Sequence, residues 1–235
     1  MKTLLRHRPD TPFLLDAIRD LVIVVVGILG ALWLESWWQG LEDRNREQVI
    51  LAGLRDEFAR NRDDLAQGLG PLEAGIERLV AMHELIGGSV DADRLAAFRE
   101  LWNAPSGLSF FDPRQGQLSS VISSGQLALI RNQGLRAQIA DWPALAEDLD
   151  MERQVFLNLL GSVPPEARQV MGRWPDSAFE PDYAALLASR VFDEWLAYFV
   201  GNQRRTVEES RAILDATDQI IEQIDGELDS PRIGR

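Results

Sequence analysis

LVIVVVGILGALWL, Leu21 to Leu34, is a run of 14 residues with no charged or strongly polar side chain, and its reading decides the architecture. As a helix it measures about 21 Å at 1.5 Å per residue. Continued through Trp38 it reaches about 27 Å, close to the hydrocarbon core of a bilayer at about 30 Å when Glu35 lies at the far interface. The flanks fit a membrane span. Lys2, Arg6, His7 and Arg8 precede it, and Asp10, Thr11 and Pro12 form a helix start. Trp33, Trp37 and Trp38 cluster at the other end, as an interfacial aromatic belt does.

A cleaved signal peptide shares the basic leader and the apolar run. The sequence after the run, Leu32-Trp33-Leu34-Glu35, offers no small-x-small cleavage site, so the segment reads as an uncleaved signal anchor rather than a leader or a buried core helix. Lys2, Arg6 and Arg8 outweigh the mixed charges after the span, where Glu42, Asp43 and Glu47 alternate with Arg44 and Arg46. The positive-inside rule then places the N-terminus in the cytoplasm and the rest outside. Residues 1–35 are charge-neutral, so the remaining residues carry the whole net charge of -13. Anionic lipid repels such a domain. Nucleic acid is not an expected partner either, because phosphate-backbone affinity comes from Lys and Arg.

Beyond Leu41 the apolar spacing is helical. Leu51, Leu54, Phe58, Leu65, Leu69, Leu72, Ile76, Leu79 and Ile86 recur at steps of three, four or seven. Gly68, Gly70 and Pro71 are expected to kink or interrupt this helix. Gly87 and Gly88 end it, and Asp91 caps a shorter helix through Trp102. Residues 103–113 read as the longest irregular connection. A short helix ending at Gly125 follows, then a helix capped by Asn132 that contains Ile139, Trp142, Leu149 and Phe156, with a kink at Pro143. Pro164, Pro165, Pro175 and Pro181 divide 161–182 into short turns, and a last long helix runs from about Arg190 to Leu228. No strand alternation is present. The fold class is therefore all-α: an N-terminal transmembrane helix continuing into an elongated antiparallel helical bundle whose last helix returns along the first. The expected divisions are a cytoplasmic leader (1–11), a signal-anchor helix (12–40), a helical extracytoplasmic domain (41–228) and a flexible tail (229–235).

Two stretches carry a family resemblance. One is DLVIVVVGILGALWLESWWQ at Asp20 to Gln39, leading into LRDEFARNRDDL at Leu54 to Leu65. The other is VISSGQLALIRNQGLRAQIADW at Val121 to Trp142. Together they resemble an uncharacterised family of bacterial single-pass inner-membrane proteins with a helical extracytoplasmic domain. Pro143 departs from the aromatic pair that pattern carries at its end. The resemblance implies a bacterial inner-membrane anchor with a periplasmic domain, and it implies no activity.

Chemistry is sparse. The chain has no Cys, which excludes disulfides, thiolate metal sites and a Cys nucleophile. Of its two histidines, His7 lies in the leader and His83 on a helix between Met82 and Glu84. No E-x-x-H pair or G-x-S-x-G elbow occurs, and Gly68-Leu-Gly70 is a poor phosphate loop. Asp215, Asp218, Glu222 and Asp225 share a face of the last helix but extend over about 15 Å, too far for one cation, so they read as a solvated face. Arg204 and Arg205 read as an exposed basic turn. No catalytic residue, metal ligand or cofactor is expected.

Two constellations remain. Asp20, Val24, Gly27, Ala31 and Glu35 form one stripe of the membrane helix, and Gly27-x-x-x-Ala31 lets a second helix approach closely. Asp20, Gly27, Ala31 and Glu35 are thus a candidate packing face, for a copy of the chain or for a larger membrane partner. Ser123, Ser124, Gly125 and Asn132 form a candidate structural hinge, with Gly125 adopting a backbone that side chains disfavour and Asn132 capping the next helix. The expected role is a membrane-anchored, non-enzymatic scaffold or accessory subunit of an envelope complex. The alternatives are a periplasmic sensor or ligand-binding module that signals through a membrane partner, and, last, an envelope hydrolase with an unfamiliar site.

Overall fold

The computed structural model describes residues 11–104, 111–171 and 182–230. Helices joined by short connections make up these residues, with no strand among them. The elements are α1 (Thr11–Glu84), α2 (Ala92–Asn103), α3 (Gly116–Ser123), a 3-10 turn (Gln126–Leu129), α4 (Gln133–Gly161), α5 (Pro165–Met171), α6 (Tyr183–Leu187) and α7 (Arg190–Asp229). The chain divides into two compact units between Val49 and Ile50, inside α1.

In the first unit the helix exposes its apolar residues on all sides. Leu21, Val26, Leu29, Trp33 and Trp38 are each 60% or more exposed. A helix that is apolar all round has no polar face to offer water. Among the described residues this is the one helix long and apolar enough to cross a membrane.

The second unit is an antiparallel bundle of α1, α4 and α7, and its direction follows from who touches whom. Arg55, Arg62 and Glu73 of α1 meet Asp225, Asp218 and Arg211 of α7, so one index rises as the other falls. Gln138, Trp142 and Glu152 of α4 meet Gln223, Thr217 and Asn202 of α7 in the same sense. The last helix therefore lies antiparallel to both others. Its apolar stripe, Phe192, Leu196, Phe199, Val207, Ile213, Ile220 and Ile224, is buried along the whole length.

Two cores result. One joins Leu51, Leu54 and Phe58 to Leu135, Ile139, Trp142, Ile213, Ile220 and Ile224. Phe58 and Trp142 meet edge to face at 5.3 Å between centroids, a geometry favoured by the ring quadrupoles. The other core gathers Met82, Phe98, Leu186, Leu187, Phe192 and Leu196 where α2, α5 and α6 close against α7. Phe98, Trp102, Tyr183 and Phe192 form a ring cluster there. Gly87, at φ +78°, donates its N–H to the Leu187 carbonyl at 2.9 Å and ties the end of α1 to α6.

Several expectations need correction. No interruption occurs at Pro71, where a kink or an interruption was expected, and α4 likewise runs on through Pro143, where a kink was expected. Pro71 is exposed, as is Gln67, whose carbonyl the missing N–H leaves free to face solvent, while its neighbour Leu72 stays buried. At Pro143 the fully buried Trp142 fixes the helix by packing, which outweighs the lost hydrogen bond. The segment after Gly161 holds a helix, with Pro165 at its first position, where the absent N–H costs nothing. The leader, most of the irregular connection, the turns at Pro175 and Pro181, and the tail beyond Ser230 lie outside the described residues.

Candidate functional site

The stripe of α1 that carries Asp20, Gly27, Ala31 and Glu35 is open. Gly27 and Gly30 have no neighbour within 4 Å of the position a Cβ would take. Asp20 lies 3.5 Å from Arg19. Glu35 accepts a hydrogen bond from Gln39 one turn on, at 3.4 Å. Trp33, Trp37 and Trp38 are 70%, 52% and 65% exposed.

The hinge is a set of local turn devices. Gly125 sits at φ +72°, in the left-handed region that only glycine enters without strain. Ser124 donates its hydroxyl to the Ser120 carbonyl at 2.7 Å, and Ser123 to the same oxygen at 3.3 Å. Asn132 Oδ1 accepts from the Leu135 N–H at 3.1 Å and caps α4. Its Nδ2 donates to Glu227 of α7 at 2.8 Å, a link that spacing along the chain does not reveal.

The stretch Leu54 to Leu65 proves to be the organising strip of the bundle, residue by residue. Leu54, Phe58 and Leu65 enter the core. Arg55 and Arg62 donate to Asp225 and Asp218 at 2.8 and 2.9 Å. These bonds raise both guanidinium pKa values above their ordinary range. Glu57, 6% exposed, accepts from the backbone N–H groups of Gln117 and Leu118 at 2.8 and 2.9 Å. No side chain of α3 itself caps that helix, so Glu57 satisfies its free donors from across the bundle. Asn61 bonds both the N–H and the carbonyl of Arg114 at 2.8 Å, acting like a second strand of backbone. Asp64 meets the Arg114 guanidinium at 2.5 Å.

The acidic face of α7 is correspondingly only half solvated. Asp218 and Asp225 are partners of arginines on α1, whereas Asp215 and Glu222 face solvent. Arg204 and Arg205 lie within α7, not in a turn, and Arg205 pairs with Glu152 at 2.7 Å. His83 Nε2 lies 3.0 Å from Asp193, both about 40% exposed. No group of three or more His, Cys, Asp or Glu residues is placed to hold a metal ion among the described residues.

Between the two cores the interface of α4 and α7 turns polar. Glu152, 7% exposed, accepts from Asn202 Nδ2 at 2.7 Å and from Arg205. Arg205 is also 3.9 Å from Glu209. Burial holds the Glu209 carboxyl above the ordinary carboxylate range; the Glu152 carboxylate adds to the rise and Arg205 opposes it. Beside this cluster lies a cavity of about 40 Å³ bordered by Gly68, Leu149, Phe156, Gln203, Thr206 and Ser210. Gln203 and Ser210 are each 3% exposed.

No protein-family model, curated protein or solved structure matches this chain.

Proposed function

We propose that the chain is a membrane-anchored, non-enzymatic scaffold or accessory subunit of a larger envelope complex, held in a bacterial inner membrane with its helical unit in the periplasm. The observation that carries the reading is the run Leu21 to Leu34, apolar on every side and exposed on every side. Lipid is the solvent in which such a surface costs least. The resemblance of Asp20 to Gln39 and Val121 to Trp142 to bacterial single-pass proteins points the same way. So does the employment of Arg55, Glu57, Asn61, Arg62 and Asn132 in holding helices together rather than in a cleft.

Two experiments test it. Alkaline phosphatase fused after Arg235 is active only outside the cytoplasm; activity in a bacterial host is expected, and inactivity paired with an active cytoplasmic reporter at the same point overturns the topology. Affinity purification of the detergent-solubilised full chain is expected to recover a stoichiometric membrane complex. The sensor reading is favoured by a different observation, an aromatic-walled pocket of about 280 Å³ bordered by Trp102, Phe192, Trp195 and Phe199. Recovery of the chain alone, with its melting temperature raised by a small aromatic compound, supports that reading instead.

A further inference from the structure

We propose that the pocket walled by Trp102, Phe192, Trp195 and Phe199 is a binding site for a neutral, planar aromatic compound of two fused rings. The inference goes beyond the subunit reading and does not depend on it. Four helices supply the walls: α1 through Leu79 and Met82, α2 through Trp102, α4 through Leu160, and α7 through Phe192, Trp195 and Phe199. Ligand pockets of helical proteins form in this way, between packed helices and with mostly apolar walls. Size limits the occupant. An apolar cavity of roughly 150 Å³ takes up one benzene, and the space here is about 280 Å³, nearly twice that.

The rings favour an aromatic occupant over an aliphatic one. From Trp102 they run in series to Phe192 at 6.1 Å, on to Trp195 at 5.9 Å and to Phe199 at 5.1 Å between centroids. A further ring joining that series gains offset-stacked or edge contacts beyond the area it buries. Phe192 and Phe199 are buried, whereas Trp102 and Trp195 are half-buried, so part of each indole stays uncovered for a guest. The Trp195 ring is held in place, because its Nε1 donates to the Leu159 carbonyl at 3.0 Å. Met82 adds a thioether, which contacts aromatic rings favourably. Charge sets the other limit. Among the described residues Arg78 is the one ionisable side chain on the border, and it is already engaged within the chain. A charged ligand would lose water against apolar walls with no counter-charge reserved for it.

The test uses the full chain in phosphatidylcholine nanodiscs. Fluoroindole is the probe, and its fluorine NMR line width is read against empty nanodiscs of the same lipid. Broadening beyond the empty discs is expected. Leu160→Trp and Ala104→Trp fill the pocket from two walls and are expected to weaken binding at least about tenfold. Ala197→Trp adds the same ring at an exposed position of α7 outside the pocket and is expected to leave binding unchanged. Indole is expected to displace the probe, and octanol, tryptamine and indoleacetate to do so at least about tenfold less well. That competition needs no variant, so it decides where a filled pocket lowers the melting temperature. No broadening beyond the empty discs, or equal binding by all three variants, overturns the proposal. Displacement by octanol, tryptamine or indoleacetate as readily as by indole overturns it too. Binding is read on the purified chain whether or not a complex is recovered with it, so the site and the subunit reading fail separately.

Discussion

Trp142 donates its indole N–H to the hydroxyl of Thr217 at 2.9 Å, in a part of the bundle where both residues are at most 1% exposed. Thr217 in turn donates to the Ile213 carbonyl at 2.7 Å. The largest fully buried side chain thus has its one polar atom satisfied by α7, and the pair fixes the register of α4 against α7. Thr217→Val keeps the shape and removes the acceptor, leaving a buried donor unmet. A loss of about 1–3 kcal/mol is expected, visible as a melting temperature several degrees lower; an unchanged value would mean the indole finds another partner.

Glu57 caps α3 from another helix, so its loss strands two backbone donors at once. Glu57→Ala is expected to cost about 2 kcal/mol or more and to loosen residues 116–123 selectively. Glu57→Gln keeps one acceptor oxygen and recovers part of that. Hydrogen exchange at Gln117 and Leu118 reads the effect directly.

Asn132→Ala removes a helix cap, typically about 1 kcal/mol, together with the bond to Glu227. Lower thermal stability with partner association intact is expected. Unchanged stability with association abolished would make the hinge a binding site.

Glu209 gives a pH signature. Its folded-state pKa lies above its ordinary value, so the folded chain binds more protons than the unfolded one between those two values. Stability on its account is greatest below the ordinary carboxylate range and falls as pH rises through the raised folded pKa. Glu209→Gln is therefore expected to be the more stable form at neutral pH, with the advantage disappearing in acid. Parallel melting-temperature profiles that never converge in acid would refute this.

Gly27→Leu with Ala31→Leu fills the small-residue stripe while making the span more apolar, so insertion is expected to persist and helix association to weaken. Val26→Leu, off that stripe, is the control. Equal association of double variant and control in a membrane two-hybrid assay would mean that the stripe faces lipid.

Helix starts were legible where one side chain makes them: Asp91 and Asn132 cap α2 and α4 through their own side chains, three residues from the N–H they bond. The apolar stripes of α1 and α7 were legible for the same reason, because periodicity is a local property. What spacing did not disclose is non-local. Glu57 acts on a helix sixty residues downstream, and Asp225 answers an arginine 170 residues away. A polar residue that closes a distant helix end reads, in sequence alone, like any other exposed charge. The prolines show the same limit: their local penalty is real, yet α1 and α4 continue through Pro71 and Pro143 beside the buried Leu72 and Trp142.

The antiparallel packing of α7 on both α1 and α4 also sets an order of events. Every surface that α7 covers is synthesised before α7 itself leaves the ribosome. Until Phe192 through Ile224 emerge, Leu51, Phe58, Ile139 and Trp142 have no lid. Contacts spanning so much chain form slowly and leave apolar faces waiting. A nascent chain stalled near Ser189 is thus the form most in need of a chaperone, and the forty residues of α7 convert it in a single closing step.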